Sequence, residues 1–113
     1  MVTNLDFLTQ FTKGDKAKMK KYIELYLDTT KQKIEVMKNA LKAKEYEALK
    51  VAAHTMKSQA RYMGISTVEA DIVSLEHTCS EQNNLEQLPL LVEKVGNVLA
   101  QSIAELSEKV NAL

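Results

Sequence analysis

Ala53-His54-Thr55-Met56-Lys57-Ser58-Gln59-Ala60-Arg61-Tyr62-Met63-Gly64 reads as the end of an amphipathic helix that stops at a glycine. At about 100° per residue, Tyr46, Leu49, Ala53, Met56, Ala60 and Met63 fall on one apolar stripe. The spacing predicts a helix over 45–63. Gly64 stands where a left-handed C′ residue is wanted, since glycine alone adopts that backbone without a Cβ clash. One such stripe buries only one face, so this helix needs others around it.

The remaining sequence supplies them. Leu5, Phe7, Leu8 and Phe11 predict a short N-terminal helix, about 5–11, that lays an apolar edge on the bundle. A long helix follows over 15–43, with Met19, Ile23, Tyr26, Thr30, Ile34, Met37 and Leu41 spaced by three or four. Its start is either a Thr12–Asp15 capping box or Asp15 itself as N-cap. Thr29-Thr30 is its weakest point, because β-branched residues lower helix propensity. Ser66-Thr67-Val68-Glu69 has capping-box form and opens a helix over 66–82, striped by Val68, Ile72, Leu75 and Cys79. Gln82-Asn83-Asn84 is a polar loop. The last helix, 86–111, carries Pro89 in its first turn and buries Leu91, Val95, Leu99, Ile103, Leu106 and Val110. The fold expected is all-α: an antiparallel up-down four-helix bundle with a short extra N-terminal helix, in a single domain over 1–113.

Composition agrees. The chain has 113 residues, three glycines and one proline, and is rich in helix formers. It holds no apolar run near the ~18 residues that cross a membrane and no signal-peptide pattern. The lone Cys79 makes no internal disulfide, which fits a reducing, cytoplasmic compartment, and it shares the stripe of Ile72 and Leu75 as a core thiol. Net charge is zero but uneven: residues 1–62 carry 12 Lys and 1 Arg against 7 acids, and residues 63–113 carry 2 Lys against 8 acids. The halves balance at +6 and −6 by difference. A neutral chain argues against nucleic acid as a partner. The basic half attracts an acidic partner site, unless its charges are merely solvated helix faces.

His54 lies off the apolar stripe. Lys57, Ser58 and Arg61 follow it at i+3, i+4 and i+7, and Lys50 precedes it at i−4. A solvent-facing imidazole ringed by ammonium and guanidinium groups suits chemistry with phosphate. Neutral imidazole is a nucleophile near pH 7, and attack on phosphorus leaves a phosphohistidine. Lys57 stabilises phosphoryl oxygens as a mobile point charge. Ser58 is small enough to let a partner site approach. Lys50 and Arg61 extend the positive surface, Val51 is an apolar residue the core does not claim, and Gln59 borders the site. Taken singly, each has a plainer reading: most exposed helical histidines are surface residues, and Lys57 and Arg61 alone are solvated charges. His77 and Cys79 point in different directions on a helix and give no zinc spacing, so no metal site is expected. No phosphate-binding glycine loop or hydrolase motif occurs, hence no ATP site.

His54-Thr55-Met56-Lys57-Ser58 followed by Gly64 resembles the signature of histidine-containing phosphotransfer domains: histidine, any residue, an apolar residue, lysine and a small residue, with a glycine ending the helix. Phe11 with Gly14-Asp15, Ala40-Leu41 and Leu75-Glu76 resemble further segments of that family, so the likeness runs from about residue 5 to 110. The resemblance implies a phosphorelay intermediate rather than an autonomous kinase. His54 would accept a phosphoryl group from a receiver-domain aspartate and pass it to another receiver, with Lys57 in the supporting role. It implies receiver domains of response regulators or hybrid kinases as partners, a monomer, no cofactor in this chain, and Mg²⁺ on the partner. Ser58 departs from the glycine most often found there, and Gln59 and Arg61 are bulkier than that stretch usually allows. Two other readings stay open: a helical adaptor that binds a kinase or receiver without turnover, and a kinase dimerisation domain. Four helices closing their own core argue against the second.

Overall fold

A computed structural model describes residues 1–113. Five α-helices follow one another: α1 (Asp6–Phe11), α2 (Lys16–Lys42), α3 (Tyr46–Tyr62), α4 (Glu69–Glu81) and α5 (Leu88–Asn111), with a single 3-10 turn at Leu85–Gln87 before α5. The chain is all-α. Helices α2 to α5 pack in a ring, each against its two neighbours, as an elongated bundle of 44 × 21 × 20 Å. No helix is long and apolar enough to cross a membrane.

The core follows the stripes. Ile23, Tyr26, Met37, Leu49, Ala53, Met56, Ile72, Leu75, Val95, Leu99 and Leu106 are all sealed from solvent. Cys79 is buried with them, and burial pushes its thiol up. The Tyr26 hydroxyl lies 2.7 Å from Ser102 Oγ, and Ser102 donates its one hydrogen to the Leu99 carbonyl at 2.6 Å. Tyr26 is therefore the donor, and this buried polar pair ties α2 to α5.

Four readings of the sequence need correction, and one open choice closes. α4 begins at Glu69, not 66, and has no side-chain cap; Ile65 and Val68 are buried, so that segment packs first, and the Glu69 carboxylate binds Arg61 instead. Of the two starts left open for α2, Asp15 itself is the N-cap, accepting from the Lys18 amide at 3.1 Å, while Thr12 donates to the Leu8 carbonyl. Leu91 and Ile103 are only half-buried; Leu88, Val92 and Ser102 take the inner face, because α5 must face α2 and α4 at once. Leu41 likewise yields its place on α2 to Leu27 and Ala40. In α1 only Leu8 is buried, and Phe7 and Phe11 are each 50% exposed. Through Thr29-Thr30, α2 runs unbroken, with Thr30 buried.

Helices α2 and α3 end alike. After α3, the Gly64 amide bonds the Arg61 carbonyl and the Ile65 amide bonds the Ala60 carbonyl, a Schellman closure with Gly64 at φ +68°. After α2, Lys44 (φ +57°) does the same work with a side chain, its amide on Leu41 and the Glu45 amide on Ala40.

The N-terminal segment is clamped across one end. Glu105 on α5 accepts from the Val2 amide (2.8 Å), the Thr3 amide (3.0 Å) and the Thr3 hydroxyl (2.7 Å). The Asn4 amide reaches the Met63 carbonyl at 3.0 Å. This stitching holds α1 against the end of α3. Burial alone would raise the Glu105 carboxyl, but the donors from Thr3 and Val2, with Gln101, outweigh it and bring it down to about 2 from 4.5. A depressed carboxyl contributes stability above its unfolded value and loses it as pH falls through its folded value. The clamp is therefore intact above about 4.5 and opens as pH falls toward about 2. The amide resonances of Val2 and Thr3 are expected to titrate with a midpoint near 2; a midpoint near 4.5 contradicts the clamp.

Candidate functional site

α3 presents its polar side between the α4 packing face and solvent. His54 projects there with its side chain 63% exposed. Two turns of regular helix precede it and two follow, so its Cα is rigidly held. Across the groove, α4 brings Glu76, whose side chain is only 16% exposed. Its Oε2 lies 2.9 Å from His54 Nδ1, and its Oε1 lies 3.0 Å from Lys57 Nζ. One carboxylate thus joins the histidine to the lysine one turn further along α3.

The electrostatics fix the ring. Burial alone would raise the Glu76 carboxyl, but hydrogen bonds from His54 and Lys57 outweigh it and hold it below its ordinary value. An ionised carboxylate only accepts, so Nδ1 carries the hydrogen. In the neutral ring the free lone pair is then on Nε2, the nitrogen away from Glu76. The site offers a nucleophilic nitrogen, oriented by a carboxylate, with an ammonium one helical turn away.

The other residues singled out by sequence divide into two groups. Val51 is 53% exposed beside His54, and Lys50 is half-buried next to it. Ser58 is exposed one turn along, bordering a hollow shared with Phe7, Arg61 and Tyr62. Arg61 does not stand free: its guanidinium pairs with Glu69 of α4. Gln59 faces round the helix into a shallow hollow of about 410 Å³, with Phe11, Tyr22, Leu25 and Tyr62. The cationic ring read from the sequence is thus partly neutralised. Lys57 and Arg61 each hold a carboxylate from the acidic half, because α3 and α4 pack side by side.

Two features were missed. Glu76 borders the Ile72–Leu75 stripe, and a carboxylate at the edge of a buried stripe, opposite a lysine-rich face, was the available signal. The second is an aromatic shelf. Phe7 and Phe11 stack at 6.1 Å, Tyr62 meets both edge-on at 5.4 and 5.6 Å, and Tyr22 meets Phe11 at 5.7 Å. Helix-spaced Phe7 and Phe11 read as part of an apolar edge laid on the bundle; with residues 2–4 clamped, they stand half-exposed on the surface, Phe7 beside Ser58.

Comparison with known proteins places this geometry. A family model described as Hpt domain matches residues 21–109. No curated protein matches the chain. Among solved structures, histidine-containing phosphotransfer protein B (HptB) from Pseudomonas aeruginosa PAO1 is similar at TM-score 0.86 and 16% identity, over 99% of this chain and 96% of that one. The HPT domain of a sensor hybrid histidine kinase from Shewanella is similar at TM-score 0.84 and 15% identity, again over 99% and 96%. At such identities the two structures establish the shared fold.

Proposed function

Because this chain belongs to the Hpt domain family and has a histidine phosphotransfer role in phosphorelay signalling, we propose that His54 carries the phosphoryl group and Lys57 stabilises it. The observation that carries this reading is the Glu76 bond to Nδ1, which leaves Nε2 as the nucleophile on a mostly exposed ring. The Nε2 lone pair forms a bond to phosphorus as the bond from phosphorus to the donor aspartyl oxygen breaks. The donor carboxylate departs with that electron pair. The ring, still carrying hydrogen on Nδ1, becomes cationic beside the Glu76 carboxylate. Onward transfer reverses these steps toward a second receiver aspartate.

The chain's part is positioning and charge neutralisation, the usual demand of phosphoryl transfer. It is an intermediate and not a kinase with its own ATP site, and it needs no cofactor of its own. The receiver brings the Mg²⁺. Docking uses Val51 and Ser58 close to the ring, with Lys50, Gln59 and Arg61 around them and the aromatic shelf behind Ser58. Serine in place of the usual glycine adds one exposed hydroxyl without closing the approach. We place the protein in the cytoplasm, as a monomer that meets receivers of response regulators or hybrid kinases.

The test is transfer from a phosphorylated receiver to the purified chain. The label is expected to survive alkali and be lost in acid, as a phosphoramidate behaves. A label stable to acid, or none from any receiver that binds the chain, contradicts the reading and favours a non-catalytic adaptor.

A further inference from the structure

We propose that Glu76 is a positioning residue that keeps the phosphoryl group on His54 easy to release, an inference that rests on His54 being the acceptor. A single carboxylate, from a helix that begins after the α3 closure, spends one oxygen on the histidine and the other on the lysine. Either bond alone could be incidental surface pairing. Together they make Glu76 the side chain that bridges both residues that handle the phosphoryl group.

Two consequences follow, and both favour departure. The first concerns the leaving group. Phosphorylation at Nε2 leaves a ring with hydrogen on Nδ1 and a positive charge. If that proton stays, breaking the N–P bond releases neutral imidazole. If it is lost, the same cleavage must release an imidazolate, a far poorer leaving group. An ionised carboxylate 2.9 Å from Nδ1 keeps the proton in place. The charged groups around the ring are Lys50 and Lys57 from α3 and Glu76 from α4; Arg61 is already paired with Glu69. The two ammonium groups would expel the proton, and Glu76 opposes them.

The second consequence concerns Lys57. Its ammonium is 3.0 Å from Glu76 before any phosphoryl group arrives, and the side chain is only 20% exposed. To reach phosphoryl oxygens the lysine must share itself between them and the carboxylate. The phosphorylated state is therefore held less firmly than by a free lysine. A relay intermediate works when neither its donor nor its acceptor wins by a wide margin, and an anion shared with the supporting lysine restrains the phosphorylated state.

The experiment compares wild type, Glu76→Gln and Glu76→Asp, each phosphorylated with phosphoramidate and then followed for loss of label from pH 6 to 9. Glutamine keeps the shape and a hydrogen-bond acceptor without the charge; aspartate keeps the charge on a shorter arm. Release from Glu76→Gln is expected to slow about tenfold at neutral pH, with its decline toward high pH starting earlier than in wild type. Glu76→Asp is expected to lie nearer wild type than Glu76→Gln does. Circular dichroism should show all three folded. Superimposable decay profiles, or Glu76→Asp releasing more slowly than Glu76→Gln, overturn the role for Glu76 and leave His54 as acceptor untouched. A wild type that takes up no label overturns both.

Discussion

Exchanging His54 for glutamine is expected to abolish phosphoryl acceptance and to leave the bundle as stable as before. The two halves of this result have separate causes. The imidazole is 63% exposed and belongs to no part of the core, so its removal leaves every buried contact in place. Surface substitutions of this kind stay within about 0.5 kcal/mol. Glu76 loses one partner but retains Lys57, so no buried charge is stranded. The amide of glutamine, however, has no nitrogen lone pair available for attack on phosphorus. Loss of label should be complete, with unfolding curves superimposed on those of wild type. Label retained on the His54→Gln protein places the chemistry elsewhere.

Substitution of Gly64 by valine has the largest expected cost in stability. Gly64 sits at φ +68°, and a Cβ there would run into the carbonyl oxygen and Cβ of Asn4. A left-handed backbone costs a β-bearing residue roughly 1–2 kcal/mol. Displacing a packed neighbour typically costs roughly 1–3 kcal/mol more. The sum is about 3 kcal/mol, read from the midpoint shift in urea. Gly14 is the control: its φ is +75°, but a Cβ there would meet nothing within 4 Å. Gly14→Ala should therefore show only the backbone part, roughly 1–2 kcal/mol. Equal losses at the two positions contradict the close approach of the N-terminal segment to the end of α3. Because Asn4 bonds Met63 and precedes α1, Gly64→Val should also loosen Phe7 and Phe11 from Tyr62.

The bundle was readable from the chain because its stripes are long and few residues interrupt them. Met19 through Met37 on α2, and Leu49 through Ala60 on α3, repeat often enough to define one buried face each. A six-residue helix gives no such average. Phe7 and Phe11 are as apolar as Leu8, yet only Leu8 goes inside, and the difference is set by Glu105, about a hundred residues away. The start of α4 was misread for a related reason: Ser66 and Glu69 have the right spacing for a capping box, but Arg61 competes for the carboxylate. At the site, the exposure of His54 followed from its angle to the stripe. The role of Glu76 did not, because a bond across 22 residues between two helices leaves no trace in the period of either. The +6 and −6 halves are separate along the chain but interleaved in space, where Lys57 meets Glu76 and Arg61 meets Glu69.

Nitrogen-15 NMR of the His54 ring, before and after phosphorylation with phosphoramidate, is the most direct examination of the site. In the neutral ring, hydrogen is expected on Nδ1 with Nε2 bare beforehand, and phosphorus coupled to Nε2 afterwards. A resting ring protonated on Nε2, or phosphorus attached to Nδ1, would contradict it.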